Sequence, residues 1–173
     1  MGINEEIRKY ALLFDGIKEL GNNESWEKVY FRELGMTFTE LMQTVGWQNN
    51  QAWCAYFAEL VWKLGYSQYD SSKIGLLDSL FSASSVQTWL NFGESDFECS
   101  QSPVVGSLVI WRTFKDGKPL MSGHTGIVIS HTQTVFKTIE GNSANQVRKR
   151  YYDLKFEKKF NGLGLLGFVN PML

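Results

Sequence analysis

A thiol, an imidazole and a carboxylate are the side chains whose placement could do chemistry here, and that chemistry would be nucleophilic attack on a carbonyl. Cys54 lies near the start of the run Gln51–Gly65, which has no helix breaker before its closing glycine and carries charge only at Glu59 and Lys63. A cysteine in the first turn of a helix meets unpaired backbone N–H groups and the positive end of the helix dipole, and both favour the thiolate. The competing role for Cys54 is that of a small buried hydrophobe, which is how most free cysteines behave. The sequence holds two histidines that could activate it, His124 and His131.

His124 belongs to Gly123–Ser130, which is followed by the polar stretch His131–Thr134 and then by Val135–Asn142. Two β-branched runs around a short polar turn predict a hairpin. If Thr132 centres a three-residue loop, His124 faces Glu140; a register slipped by two puts it opposite Asn142. In either register Glu140 and Asn142 share a face with His124, because strand side chains alternate. A carboxylate or amide there would hold the imidazole in one tautomer. His131 stands an odd number of residues away, on the opposite face of a regular strand and at the turn. Alone, His124 would be an ordinary half-buried histidine. With Cys54 and Glu140 it completes the nucleophile, base and orienter of covalent acyl transfer.

The elements that must position these groups divide along the chain. Apolar spacing predicts helices over Ile3–Leu20, stopped by Gly21-Asn22-Asn23, and over Glu24–Leu34 and Phe38–Val45. The Cys54 helix is expected over Gln51–Gly65, with Asn49 or Asn50 as N-cap and Gly65 past its end. A further helix starts at the capping residue Ser85 and runs to Leu90. Strands are expected from Ser107 onward: Leu108–Trp111, the His124 hairpin, and Leu165–Val169. Helices over about 1–95 and an antiparallel sheet over about 104–171 make an α+β fold, read as one catalytic domain spanning 1–173.

Composition agrees with an enzyme-sized core. The chain has 173 residues, 43% of them hydrophobic and 14% aromatic, which argues against disorder. No apolar run reaches the length of a membrane span. The acidic start Met1–Glu6 lacks the apolar core of a secretion signal, and Glu6 breaks a myristoylation pattern that begins at Gly2. Two cysteines cannot frame a metal site, and a disulfide between Cys54 and Cys99 would consume the nucleophile, so a reducing compartment is expected, with Cys99 incidental. No metal or other cofactor is expected.

The net charge of −1 conceals an asymmetry. Residues 1–100 carry 7 Lys/Arg against 14 Asp/Glu, for −7, and residues 101–173 carry 10 against 4, for +6. Arg148-Lys149-Arg150 and Lys155–Lys159 hold much of the positive charge. Such clusters could draw an anionic polymer, but they are short and usually form a solvated face. The interleaved aromatic and basic pattern of RNA-binding folds is missing, so nucleic acid is not an expected partner. Gly162–Gly167 spells a dinucleotide fingerprint with too little chain after it for the required helix and strand. Asn23-Glu24-Ser25 matches a glycosylation sequon in a chain with no evident secretion signal.

The stretches Trp53-Cys54-Ala55, Trp89–Gly93, Pro103–Val109, Gly123-His124-Thr125-Gly126, Glu140-Gly141-Asn142 and Leu166–Pro171 resemble the CHAP and NlpC-like cysteine amidohydrolases and peptidases. Small, often phage- or prophage-associated members are the most similar, and the likeness spans about residues 50–171. The resemblance implies a papain-like fold, helices packed on a C-terminal antiparallel sheet, and cleavage of the peptide part of bacterial peptidoglycan. It implies Cys54 as nucleophile, His124 as base, Glu140 as orienting group and Asn142 as nearby polar support. Gln48 or Gln51 would hold the oxyanion with the Cys54 backbone N–H, or both are solvated loop residues. Trp53, with Trp47 and Trp89, would line a substrate groove or fill the core. Ser107 departs from the acidic residue that many relatives carry there.

An endolysin, a prophage hydrolase and an antibacterial effector are all compatible with this pattern. Each would be made in the bacterial cytoplasm and reach the wall by release or delivery, an effector with an immunity or delivery protein as partner. The rival readings are a non-catalytic wall- or partner-binding module of the same fold, and a cysteine amidohydrolase acting on a non-wall amide.

Overall fold

The computed structural model describes residues 2–155, 159–160 and 162–172; Phe156, Glu157 and Lys158 of the second basic cluster lie outside the described residues. In chain order they form α1 (Ile3–Leu13) and the two-residue strands β1 (Glu19–Leu20), β2 (Ser25–Trp26), β3 (Tyr30–Phe31) and β4 (Met36–Thr37). Helices α2 (Phe38–Thr44), α3 (Cys54–Tyr69), α4 (Ile74–Leu80) and α5 (Ser85–Gly93) follow. The remaining strands are β5 (Cys99–Ser100), β6 (Leu108–Lys115), β7 (Lys118–His131), β8 (Val135–Glu140), β9 (Arg148–Asp153), β10 (Lys159–Phe160) and β11 (Leu163–Val169). Helices first and an antiparallel sheet afterwards is the α+β order expected from the sequence.

The main sheet runs β10-β11-β6-β7-β8-β9, with β5 pairing one end of β11. One face, with Leu108, Ile110, Ile127 and Ile139, joins the helices in a core that also holds Ile3, Ile7, Phe57 and Trp62. The other face gathers Val109, Trp111, Val128, Phe136, Tyr152 and Phe168. A flat sheet would hold β6 and β9, three steps apart, at about 14 Å. Yet the rings of Trp111 and Tyr152 on those strands are 4.8 Å apart, and those of Phe136 and Phe168 on β8 and β11 are 5.2 Å apart. The sheet therefore curls around its aromatic face, helped by register shifts at Leu165/Gly167, Arg112/Phe114 and Val128/Ser130.

Several expected boundaries move. The first helix ends at Leu13, because Gly16 adopts φ +91° and the next residues bond to the segment after β8. The bonds are Val147 N–H to Ile17 O at 2.8 Å and Glu19 N–H to Asn145 O at 2.8 Å. The helix expected over Glu24–Leu34 is absent, replaced by β2 and β3 in two small ribbons. A helix would set Trp26 and Phe31 about 140° apart on its surface. Extended backbone lets both reach the core, where Trp26 packs on Trp47 and Trp53 and Phe31 on Phe14. Helix α2 forms as expected, with a Thr37/Glu40 capping box. Helix α5 is capped by Ser84, one residue earlier than expected, and α4 has no counterpart in the sequence reading.

Candidate active site

Cys54 opens α3, but the N-cap is Trp53 without a side-chain bond, and neither Asn49 nor Asn50 caps the helix. Asn50 is tied elsewhere, its N–H donating to Asn23 O at 2.6 Å. Gly65 does not end the helix, which continues to Tyr69. A Cβ on Gly65 would come within 2.6 Å of Ile7, so its missing side chain lets α1 lie close against α3.

The surroundings of Cys54 come from three segments. Cys54 is partly exposed and its thiol is in hydrogen-bonding contact with the His124 side chain. Burial disfavours the thiolate. The His124 hydrogen bond and charge, followed by the backbone N–H groups of Thr125 and Ala55, outweigh it and hold the thiol below its ordinary value. His124 Nε2 lies 2.8 Å from Glu140 Oε2. A carboxylate only accepts, so Nε2 carries the proton and Nδ1 is left for the sulfur. Burial alone would depress the imidazole, but Cys54 and Glu140 together push it up to about 10. The two shifts, thiol down and imidazole up, both run toward a thiolate–imidazolium pair. The His124 ring stacks on Trp111 with centroids 6.1 Å apart.

Glu140 is 1% exposed. Burial opposes its charge, yet bonds from His124, Thr138 and Tyr152 hold its carboxyl below the usual range. Close packing explains the glycines of both motifs. A Cβ on Gly126 would fall 2.5 Å from the Glu140 side chain, and one on Gly141 would fall 2.6 Å from Phe57 and 2.9 Å from Trp53. Gly126 thus makes room for the carboxylate under β7, and Gly141 lets the end of β8 rest on the first turns of α3.

The hairpin adopts the slipped register on the His124 side. Ile127 pairs with Ile139 and Val128 with Thr138, before the bulge changes the count. Extending that register places His124 level with Asn142, yet the imidazole bonds to Glu140. Asn142 has left the strand, at φ +54°, and its amide donates to Asn23 Oδ1 at 3.4 Å rather than to the imidazole. The bulge also breaks the alternation used to set His131 aside. His131 is nevertheless remote, exposed at the far end of the strand, seven residues or roughly 23 Å along it.

Trp53 is fully buried, its Nε1 donating to Glu19 Oε2 at 2.6 Å, which corrects its assignment as a substrate contact. Trp47 is likewise core, at 2% exposure. Gln48 is exposed on the turn before α3, and Gln51 Oε1 accepts its backbone N–H at 2.9 Å. Cys99 sits on β5, and burial, then Glu98, pushes its thiol up, the opposite of Cys54. Ser107 is fully buried and donates to Asn170 Oδ1 at 2.7 Å, a structural tie between the start of β6 and the chain after β11. Thr138 and Tyr152 were not picked out from the sequence. Thr138, two residues before Glu140, shares its face by strand alternation and was within reach of that argument. Tyr152 arrives through a long-range pairing that carries no local signal.

Beside His124 and Glu140 opens a cleft of about 270 Å³ lined also by Asn142, Ser143, Arg150 and Tyr152. Among the described residues no cluster of three or more His, Cys, Asp or Glu could hold a metal ion. None of the helices described is long and apolar enough to cross a membrane.

A helix-borne thiol in contact with an imidazole that a carboxylate holds, from an antiparallel sheet, is a constellation suited to cysteine-dependent acyl transfer. The CHAP domain family matches residues 45–142, more than half of the chain and all three of these groups, and the chain belongs to that family. CHAP domains are papain-like and typically hydrolases, and the family as a whole points to peptidoglycan amidase or hydrolase activity. Neither curated proteins nor solved structures give a match.

Proposed function

We propose that this protein hydrolyses an amide bond in the peptide part of bacterial peptidoglycan through a thioester on Cys54. The observation that carries the reading is the Cys54 thiol, partly exposed at the head of α3 and in contact with an imidazole that Glu140 orients at 2.8 Å. In the forward half-reaction the thiolate attacks the carbonyl carbon and the π electrons move to oxygen. The Cys54 backbone N–H, with a side-chain N–H of Gln48 or Gln51, receives that oxyanion. On collapse the C–N bond breaks and the imidazolium proton goes to the leaving amine, leaving a thioester. Neutral His124 then takes a proton from water as the hydroxyl oxygen attacks the thioester. The acid leaves and the thiolate–imidazolium pair returns. The protein would meet this substrate after release or delivery from the cytoplasm of the cell that makes it.

The deciding experiment is digestion of purified peptidoglycan with mass analysis of the fragments. The expected result is release of new amino groups without new reducing sugar ends, and neither from Cys54→Ala protein. Reducing ends, or no release from walls of several chemotypes, would overturn the wall-amide reading.

A further inference from the structure

Glu140 accepts more hydrogen bonds than orienting His124 requires. Oε2 serves the imidazole, while Oε1 accepts the Thr138 hydroxyl at 2.6 Å and the Tyr152 phenol at 2.8 Å. Thr138 is 0% and Tyr152 2% exposed. Packing alone does not call for these hydroxyls, since valine and phenylalanine would fill nearly the same volumes on a face otherwise made of Val109, Trp111, Val128, Phe136 and Phe168. A polar group in such a layer is costly unless bonded, and both are aimed at a single oxygen atom.

We propose that Thr138 and Tyr152 are positioning residues for the reaction at Cys54, a pair of hydroxyls that clamp Glu140 as an ionised carboxylate in the orientation that meets His124 Nε2. The role rests on the reading of Cys54, His124 and Glu140 given above, but not on the identity of the substrate. A carboxyl this deeply buried would by burial alone tend to keep its proton, and a neutral acid cannot balance an imidazolium. Two donors on Oε1 keep the charge and fix the rotation of the carboxylate plane, so that Oε2 can point only at the imidazole. Arg150, which bonds the Tyr152 side chain and lines the cleft, extends the chain outward. A guanidinium donating to the phenol oxygen makes the phenol O–H a stronger donor to Glu140.

The test is the pH dependence of Cys54 alkylation by iodoacetamide, which needs no wall substrate, in wild type, Tyr152→Phe, Thr138→Val and Thr138→Ser proteins, with folding checked by thermal melts. Loosening Glu140 leaves the imidazolium less well held. The pH at which Cys54 becomes a thiolate should therefore rise, and the step in alkylation rate at which the imidazolium loses its proton should move down. Turnover should drop roughly tenfold per lost hydroxyl at unchanged KM. Thr138→Ser, which keeps the hydroxyl, should behave as wild type. Should Thr138→Val fail to fold, Tyr152→Phe, which deletes one oxygen atom, carries the test. Both steps unmoved in folded Tyr152→Phe protein with a reactive wild-type thiolate would overturn the clamp alone. A wild-type Cys54 no more reactive than an ordinary thiol would overturn the clamp and the site reading together.

Discussion

Glu140→Gln keeps the shape of the orienting side chain and removes its charge, and the bonds around it set the size of the effect. The amide has one oxygen and one NH₂ to distribute between two neighbourhoods. Toward Thr138 and Tyr152 stand two donors, at 2.6 and 2.8 Å; toward His124 stands one, at 2.8 Å. Each neutral bond is worth about 1 kcal/mol, so the amide oxygen stays with the two hydroxyls and the NH₂ faces the imidazole. Nε2 must then accept, which moves the ring proton to Nδ1, against Cys54. An imidazole in that tautomer cannot take the thiol proton. The expected loss is about a thousand- to ten-thousandfold in turnover, or about 4–5.5 kcal/mol, the scale of a carboxylate-to-amide change in a nucleophile–His–carboxylate triad. If the oxygen faced His124 instead, only the difference between a charged and a neutral bond would be lost, about 1–2 kcal/mol and no more than thirtyfold. Peptidoglycan turnover and the iodoacetamide rate should fall together, and nitrogen NMR of labelled histidine should show the proton moved from Nε2 to Nδ1. Retention of a tenth or more of wild-type activity with Nε2 still protonated would refute this account of Oε1. Asn142→Ala, whose amide is engaged with Asn23, should be the milder change. If it proved the more damaging one with folding intact, the amide and not the carboxylate would be the third member.

The two thiols should part in reactivity. Cys54→Ala should lose activity by several orders of magnitude and Cys99→Ser almost none, with Cys54 the faster to alkylate and still reactive below pH 7. As pH falls through the lowered value of Cys54 the thiolate is protonated and activity should disappear; a profile set by an ordinary thiol would contradict the pairing. His131→Ala, at the far end of the hairpin, should leave turnover and its pH profile intact. Glu59 offers a stability test away from the site, since burial foremost, against the nearby Lys63, pushes it up to about 7. Between about 4.5 and about 7 the folded chain holds a proton that the unfolded chain releases, so its stabilising contribution declines as pH rises through that window, by up to roughly 3 kcal/mol. Urea melts of Glu59→Gln at pH 5 and 8 should show a flatter dependence than wild type; an identical slope would refute the assignment.

The three side chains that the structure brings together, Cys54, His124 and Glu140, were legible in the sequence because each announces itself locally. Cys54 heads an apolar run, and His124 and Glu140 fall on strands whose alternation puts them on one face whichever of the two registers holds. That argument was insensitive to the register actually adopted, and so it survived the bulge at Val128/Ser130 that undid the parity reasoning about His131. Features set by chain segments far apart were not legible. The helix expected to run to Leu20 stops because residues 17–19 bond to residues 145–147, and Gly65 sits inside a helix because Ile7 presses against it. Trp53, beside Cys54, could have lined a groove or filled the core, and it is the core that holds it, with its Nε1 bonded to Glu19.

A strand pairing likewise supplies what the local reading of the site lacked. Strand β9 returns beside β8 with Tyr152 opposite Phe136, and its phenol reaches Glu140 at 2.8 Å on the same face. The placements of Cys54 and His124 can be written in short motifs because helix start and strand face are local properties. The charge state of the carboxylate behind them depends on the burial and donors that distant strands provide. Substitutions on β9 should therefore alter the pH window of Cys54 without touching either motif, whereas substitutions at Gly126 or Gly141 should displace Glu140 or the end of β8 by steric contact and lower activity at every pH.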